Sequence, residues 1–176
     1  MIAYTNNRAN DTIHDMNKKN TLLSLIKDNA RISINDLSDA LSLSEKETFD
    51  LLETCFTEGL IVKYTAVFND DRAFPTKIKA LIELCVQPER KSGYHSLAER
   101  ISHYEHVVDL YLISGDYDFL VVVEGNSLKE ISNCVSDLAS IDSVHKTATH
   151  VVLNTYKKMG AILSAPITED RLSVSP

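Results

Sequence analysis

Residues 107–124 read Val-Val-Asp-Leu-Tyr-Leu-Ile-Ser-Gly-Asp-Tyr-Asp-Phe-Leu-Val-Val-Val-Glu. Two runs rich in β-branched and aromatic residues flank five turn-forming residues, the pattern of two antiparallel strands joined by a tight connection. The spacing predicts strands over 107–113 and 119–124. Working outward, a strand is expected at 77–86, with Ala80, Ile82, Leu84 and Val86 on one face. A helix follows at 94–103, with Leu97, Ala98 and Ile101 inward. Beyond the hairpin, Ser127 caps a helix to about residue 139, with Leu128, Ile131, Val135 and Leu138 inward, and a last strand covers 144–156. The order β-α-β-β-α-β is the ferredoxin-like split motif, an α+β arrangement with both helices on one sheet face. The other face carries Leu81, Tyr111, Leu120 and Val122, which a second copy of the chain would cover.

The stretch 20–60 has a different period. Asn20 caps a helix with Leu22, Leu23, Leu25 and Ile26 on its apolar side. Ser33 opens a short second helix with Leu37, Ala40 and Leu41 inward. Ser44 and Glu47 form a capping box for a third, over 45–58, with Phe49, Leu52, Cys55 and Phe56 inward and Gly59 as its stop. Three short helices with a tight turn before the third make a helix-turn-helix unit. Its third helix is the one expected in the DNA major groove. By elimination its outward positions are Glu45, Lys46, Glu47, Thr48, Asp50, Glu53 and Thr54; the candidate DNA-facing residues are Ser44, Lys46, Glu47, Thr48, Asp50 and Thr54, with Ser44 and Lys46 as phosphate contacts.

The domain plan is therefore a flexible arm at 1–19, a helix-turn-helix domain at 20–60, a strand and linker at 61–76, a ferredoxin-like domain at 77–158, and a mobile tail at 159–176. The linker strand, residues 60–68, is expected to aid dimerisation. Cys55, Cys85 and Cys134 each sit in an apolar pattern and read as reduced core residues. The polar first twenty residues have no signal-peptide core, and the chain has no apolar run of membrane-spanning length, so a cytoplasmic protein is expected. No Ser-His-Asp pattern, phosphate-cradling glycine loop, Cys-x-x-Cys or His-Glu-x-x-His is present. His103 and His106 read as a solvated helix end. No catalytic residue, metal or cofactor is expected.

Across about 20–163 the order of elements resembles the Lrp/AsnC family of transcription regulators. The resemblance rests on residues 30–33, 36–38, 43–44 and 58–66. It rests also on the hairpin signature Gly115-Asp116-Tyr117-Asp118 and on Thr147-Ala148-Thr149-His150-Val151 followed by Lys157 and Gly160. It implies a dimer built through the C-terminal domains, often stacked into octamers, that responds to a small effector such as an amino acid. The matching ligand positions are Gly115, Asp116, Tyr117, Asp118, Thr147 and Thr149. An aspartate there can pair with an α-ammonium group, and glycine-turn amides can receive a carboxylate.

Charge sets a second expectation beside the first. The formal net charge is −7. Within 20–60, Lys27, Arg31 and Lys46 face Asp28, Asp36, Asp39, Glu45, Glu47, Asp50, Glu53 and Glu58, which leaves −5. Duplex binding is driven largely by counterion release from neutralised phosphates. The alternative function is thus a ligand-sensing or partner-binding oligomer that keeps the fold without ordinary DNA binding.

Overall fold

The computed structural model describes residues 5–87 and 93–163, with the backbone alone for residues 5–15. The chain divides into two units, Met1–Ala66 and Val67–Pro176.

The first unit holds α1 (Thr5–Asp28), α2 (Ile34–Leu41) and α3 (Glu45–Thr57). Leu22, Ile26, Leu37, Leu41, Cys55 and Ile61 form its core. Two N-caps match the sequence reading. Ser33 accepts from the Asp36 amide, and Ser44 accepts from the Glu47 amide in a full capping box. Gly59 stops α3 at φ +71°, a conformation that costs glycine nothing. Ser42 turns the chain from α2 into α3 at φ 52°.

Several expectations change here. The helix expected from Asn20 begins at Thr5, so residues 5–19 are not a free arm. No glycine or proline lies between positions 5 and 28 to end it, and Lys19 on it reaches Glu58 at the end of α3, 2.8 Å away. Residues 60–68, expected as a strand that aids dimerisation, form no ladder within the single chain, where strand propensity alone supplies no pairing partner. Their side chains Val62, Tyr64, Val67 and Phe68 are exposed. Finally, the buried stripe of α3 is rotated by one residue. Thr48 and Cys55 are fully buried, whereas Phe49 is 56% and Phe56 37% exposed. Ala40 of α2 is likewise exposed.

The second unit opens with a four-residue helix, α4 (Asp70–Ala73), within the expected linker. It continues with β1 (Ile78–Val86), α5 (His95–Ser102), β2 (Val107–Leu112), β3 (Phe119–Gly125), α6 (Leu128–Ala139) and β4 (Val144–Val151). The sheet order is β2-β3-β1-β4, antiparallel throughout. Ala80, Ile82, Leu84 and Val86 face the helices and pack with Leu97, Ile101, Ile131, Cys134 and Leu138. In α6, Cys134 takes an inward place and Leu128 is exposed. The alternate residues of the same strands form the open face, where Leu81 lies opposite Val122, and Glu83 and Tyr111 both lie opposite Leu120. The last strand is shorter than expected. It ends at Val151, and the chain then makes a small hairpin of β5 (Lys157–Lys158) and β6 (Ala161–Ile162). The expected tail thus begins with this hairpin's turn and second strand, and its part from 164 onward lies outside the described residues.

Candidate functional site

The outward side of α3 is the first candidate surface. Of the six residues expected to face DNA, Lys46 and Asp50 are exposed, as are Ser44 and Glu47. Glu47 is committed locally. Its carboxylate accepts from the Ser44 amide at 2.9 Å and the Ser44 hydroxyl at 2.7 Å. That hydroxyl first, then the Ser44 amide and the nearby Lys18 charge, hold Glu47 below the ordinary carboxylate range against a small burial effect. Thr54 is half-buried and donates its hydroxyl to the Asp50 carbonyl, 2.8 Å away.

Thr48 is not on this surface. It is fully buried. Its hydroxyl donates to the Ser44 carbonyl at 3.0 Å and lies 2.9 Å from the Ser38 hydroxyl of α2. With Thr48 inward, the stripe Thr48, Leu51, Leu52, Cys55 has helical i, i+3, i+4, i+7 spacing. The reading from sequence placed Phe49 inward because it is the larger apolar residue. A buried threonine bonded to a buried serine on the neighbouring helix gives no local pattern by which to recognise it. Phe49 thereby joins Lys46, Asp50 and Glu53 on the exposed side.

The hairpin between β2 and β3 is the second candidate surface. Gly115 has φ +128°, a backbone that favours glycine. The Ile113 amide donates to the Asp118 carbonyl at 2.8 Å, and the Asp118 amide donates to the Leu84 carbonyl at 2.9 Å. Asp118 was expected as a ligand group, and here its two oxygens are occupied. One accepts from the Val86 amide at 2.8 Å and the other from the Tyr94 phenol at 2.9 Å. The Val86 bond is the main cause that lowers its carboxyl pKa. Burial opposes it, and the Tyr94 and Cys85 side chains add to it. The bond from the Tyr94 phenol to Asp118, with burial, raises the phenol's pKa. Tyr94 also packs edge-on against Phe119, with ring centroids 5.8 Å apart. Asp118 therefore staples the hairpin to the end of β1 and the start of α5.

Asp116 and Tyr117 sit at the open end of the loop. Lys146 of β4 places its ammonium 4.8 Å from the Tyr117 ring centre, a cation–π distance. Hydrogen bonding to Tyr117, its largest perturbation, raises the Lys146 pKa. Lys146 was not singled out from sequence, since its partner lies 29 positions earlier in the chain.

Thr147 and Thr149 do not join this group. Thr147 lies opposite Leu84 and Thr149 opposite Ile82. Directly opposed residues share a sheet face, so both threonines belong to the side that carries the helices. Lys146 lies opposite Cys85 and belongs to the open side. The ligand positions expected as one cleft are thus divided across the sheet within one chain.

The comparisons agree with this architecture. The model of the Lrp/AsnC ligand binding domain matches residues 79–162. The HTH-type transcriptional regulator YugG of Bacillus subtilis is 30% identical over 90% of this chain and 97% of its own length. Among solved structures, the leucine response regulatory protein LrpA of Mycobacterium tuberculosis superposes with a TM-score of 0.67 at 16% identity, over 84% of this chain and 98% of that one. A transcriptional regulator of Neisseria meningitidis in complex with L-Met gives 0.62 at 19%, over 86% and 96%. A helix-turn-helix unit, a ferredoxin-like unit and a relative matched along nearly its full length lead to one conclusion. This chain belongs to the Lrp/AsnC family of transcription regulators.

Proposed function

We propose that this regulator binds duplex DNA through α3 as a homo-oligomer and responds to a small effector of the amino-acid class at the hairpin of residues 115–118. The observation that carries the effector half is the stapled loop. Asp118 holds its base rigid while Asp116, Tyr117 and Lys146 stand at its open end. A zwitterion matches them, with its ammonium on Asp116 and its carboxylate on the Gly115 turn amides or Lys146. The Neisseria relative's complex with L-Met supports the ligand class. The division of Thr147 and Thr149 from the loop favours an effector held by residues 115–117 with Lys146. A second copy covers Leu81, Leu120 and Tyr111, beside Val122, which the single chain already buries, because an apolar sheet face left in water costs about 25 cal/mol per Å². Among the described residues no helix is long and apolar enough to cross a membrane, and the cytoplasm is the compartment proposed.

A second reading is favoured by one feature. Lys46 is the one basic residue on the exposed side of α3, beside Asp50 and Glu53. On this reading the chain senses ligand and binds a protein partner, such as a related regulator, without docking on duplex. Retention of sheared genomic DNA across a salt series, with and without an amino-acid pool, decides between them. Selective retention that weakens steeply with salt, and shifts with amino acid, supports the regulator reading. No retention at low salt supports the second.

A further inference from the structure

The chain enters the second unit through residues 67–76, and the start of that entry is tied down by charge. Asp70 of α4 accepts from Lys158 of β5 at 2.6 Å and lies 3.7 Å from Lys79 of β1. Lys79 and Lys77 in turn reach Glu124 of β3 at 2.9 and 3.1 Å. One residue earlier, the Asn69 side-chain amide donates to the Leu163 carbonyl at 3.1 Å. Both Asp70 and Lys158 are more than two-thirds buried, so this pair is screened less than an ordinary surface pair.

The hairpin at the far end of these bonds cannot hold itself. β5 and β6 have two residues each, and a lone two-stranded hairpin is marginal even at greater length. Its turn also places Met159 at φ 45°, a left-handed conformation that costs a residue with a side chain about 1 kcal/mol or more. Residues 69 and 70 bind it from 94 and 88 positions earlier in the chain. Conversely, residues 62–69 have no ladder of their own. Hairpin and entry segment are each underdetermined alone and held by the other.

We propose that the contacts Asp70–Lys158 and Asn69–Leu163 form a latch that fixes the path by which the chain leaves the second unit toward the helix-turn-helix. The latch lies wholly within the second unit, so an event there that shifts the hairpin reaches the connecting segment without crossing a domain boundary. Its regulatory consequence rests on the regulator reading above, while the latch itself does not.

The test is amide hydrogen exchange across residues 67–74 in the full chain. The variants are Lys158→Met, Asp70→Ala and, as control, Lys157→Met, which removes the same charge one position away. Exchange about three- to tenfold faster in both Lys158→Met and Asp70→Ala, with Lys157→Met unchanged, supports the latch. Wild-type exchange in both variants overturns it, as does equal acceleration in the control. DNA retention with and without an amino-acid pool is then measured on the same proteins. A Lys158→Met protein that exchanges faster yet keeps the wild-type amino-acid effect on retention overturns the regulatory consequence. A wild-type protein that retains no DNA counts against the regulator reading, and the exchange result still decides the latch.

Discussion

Thr48→Val and Phe49→Ala together decide which side of α3 is the core. Valine has nearly the shape of threonine, so the first change opens no cavity and leaves helix propensity almost unaltered. It removes the bond to the Ser44 carbonyl and the contact with the Ser38 hydroxyl. Neither partner is stranded. The Ser44 carbonyl keeps the Thr48 amide at 2.9 Å, and Ser38 keeps the Ile34 carbonyl at 2.7 Å. The expected loss is therefore that of two neutral hydrogen bonds, about 1–2 kcal/mol in all. Phe49→Ala removes a ring that is 56% exposed and gains helix propensity, so it costs less than about 1 kcal/mol. With Phe49 in the core, the order would reverse. The ring would cost about 3–5 kcal/mol and the hydroxyl about 0.5 or less. Urea denaturation followed by circular dichroism, with the slope unchanged between variants, measures both. A Phe49→Ala loss above about 2 kcal/mol, with Thr48→Val near wild type, would refute the placement of Thr48.

Asp118→Ala removes acceptors from the Val86 amide and the Tyr94 phenol. It should cost about 2–3 kcal/mol and speed amide exchange at Val86; a change in effector affinity with wild-type stability would return Asp118 to the ligand site. Asp50→Lys and Glu53→Lys should each strengthen DNA retention and steepen its salt slope by up to about 0.9 per phosphate newly contacted, and unchanged slopes would remove this face from the interface. Asp118 and Asp70 both have carboxyls lowered in the fold, by the Val86 amide and by Lys158 respectively as the leading causes. Their stabilisation is complete above the unfolded carboxylate range, about 4, and is lost as pH falls through the lower folded values. The second unit should therefore lose stability below about pH 4, and a Lys158→Met protein should lose less of it over that range. Ser44→Ala should cost about 1 kcal/mol as a lost cap, read by thermal melting.

What the sequence revealed, and what it hid, divides by range of interaction. Capping pairs such as Ser44 with Glu47 act over three residues, and strand alternation such as Ala80, Ile82, Leu84 acts over two. Both were legible, and with them the order of elements, the α+β class and the composition of the second core. The orientation of α3 was not, because the choice between Thr48 and Phe49 depends on Ser38 of another helix. Nor was the role of Asp118, whose partners Val86 and Tyr94 lie 32 and 24 positions away. The separation of Thr147 from the loop follows from a register, with Leu84 opposite, that alternation alone does not specify. The linker strand, residues 60–68, finds no ladder within one chain: its β-branched residues state a preference, and the neighbour expected for it is a second copy.

The charge of the first unit looks different once each acid is placed. Asp36 accepts from the Ser33 hydroxyl at 2.6 Å, Glu47 closes the cap of α3, and Glu58 binds Lys19. Glu45 and Glu47 lie in the first turn of α3, where the helix dipole favours negative charge. These acids stabilise the unit and would be present whatever the unit binds. The opposition to a phosphate backbone comes chiefly from Asp50 and Glu53, which share the exposed side with Lys46. Of the eight acids in 20–60, Asp50 and Glu53 are the two that share the helical face of Lys46. Weak contacts of that kind are overcome by repetition, since each added unit in an oligomer binds at the high effective concentration set by its linker. On the regulator reading proposed above, assembly is then a condition of DNA binding. A forced monomer should lose retention that the Asp50→Lys, Glu53→Lys double variant restores; a monomer that retains DNA as well as the wild-type oligomer would break the link between assembly and affinity.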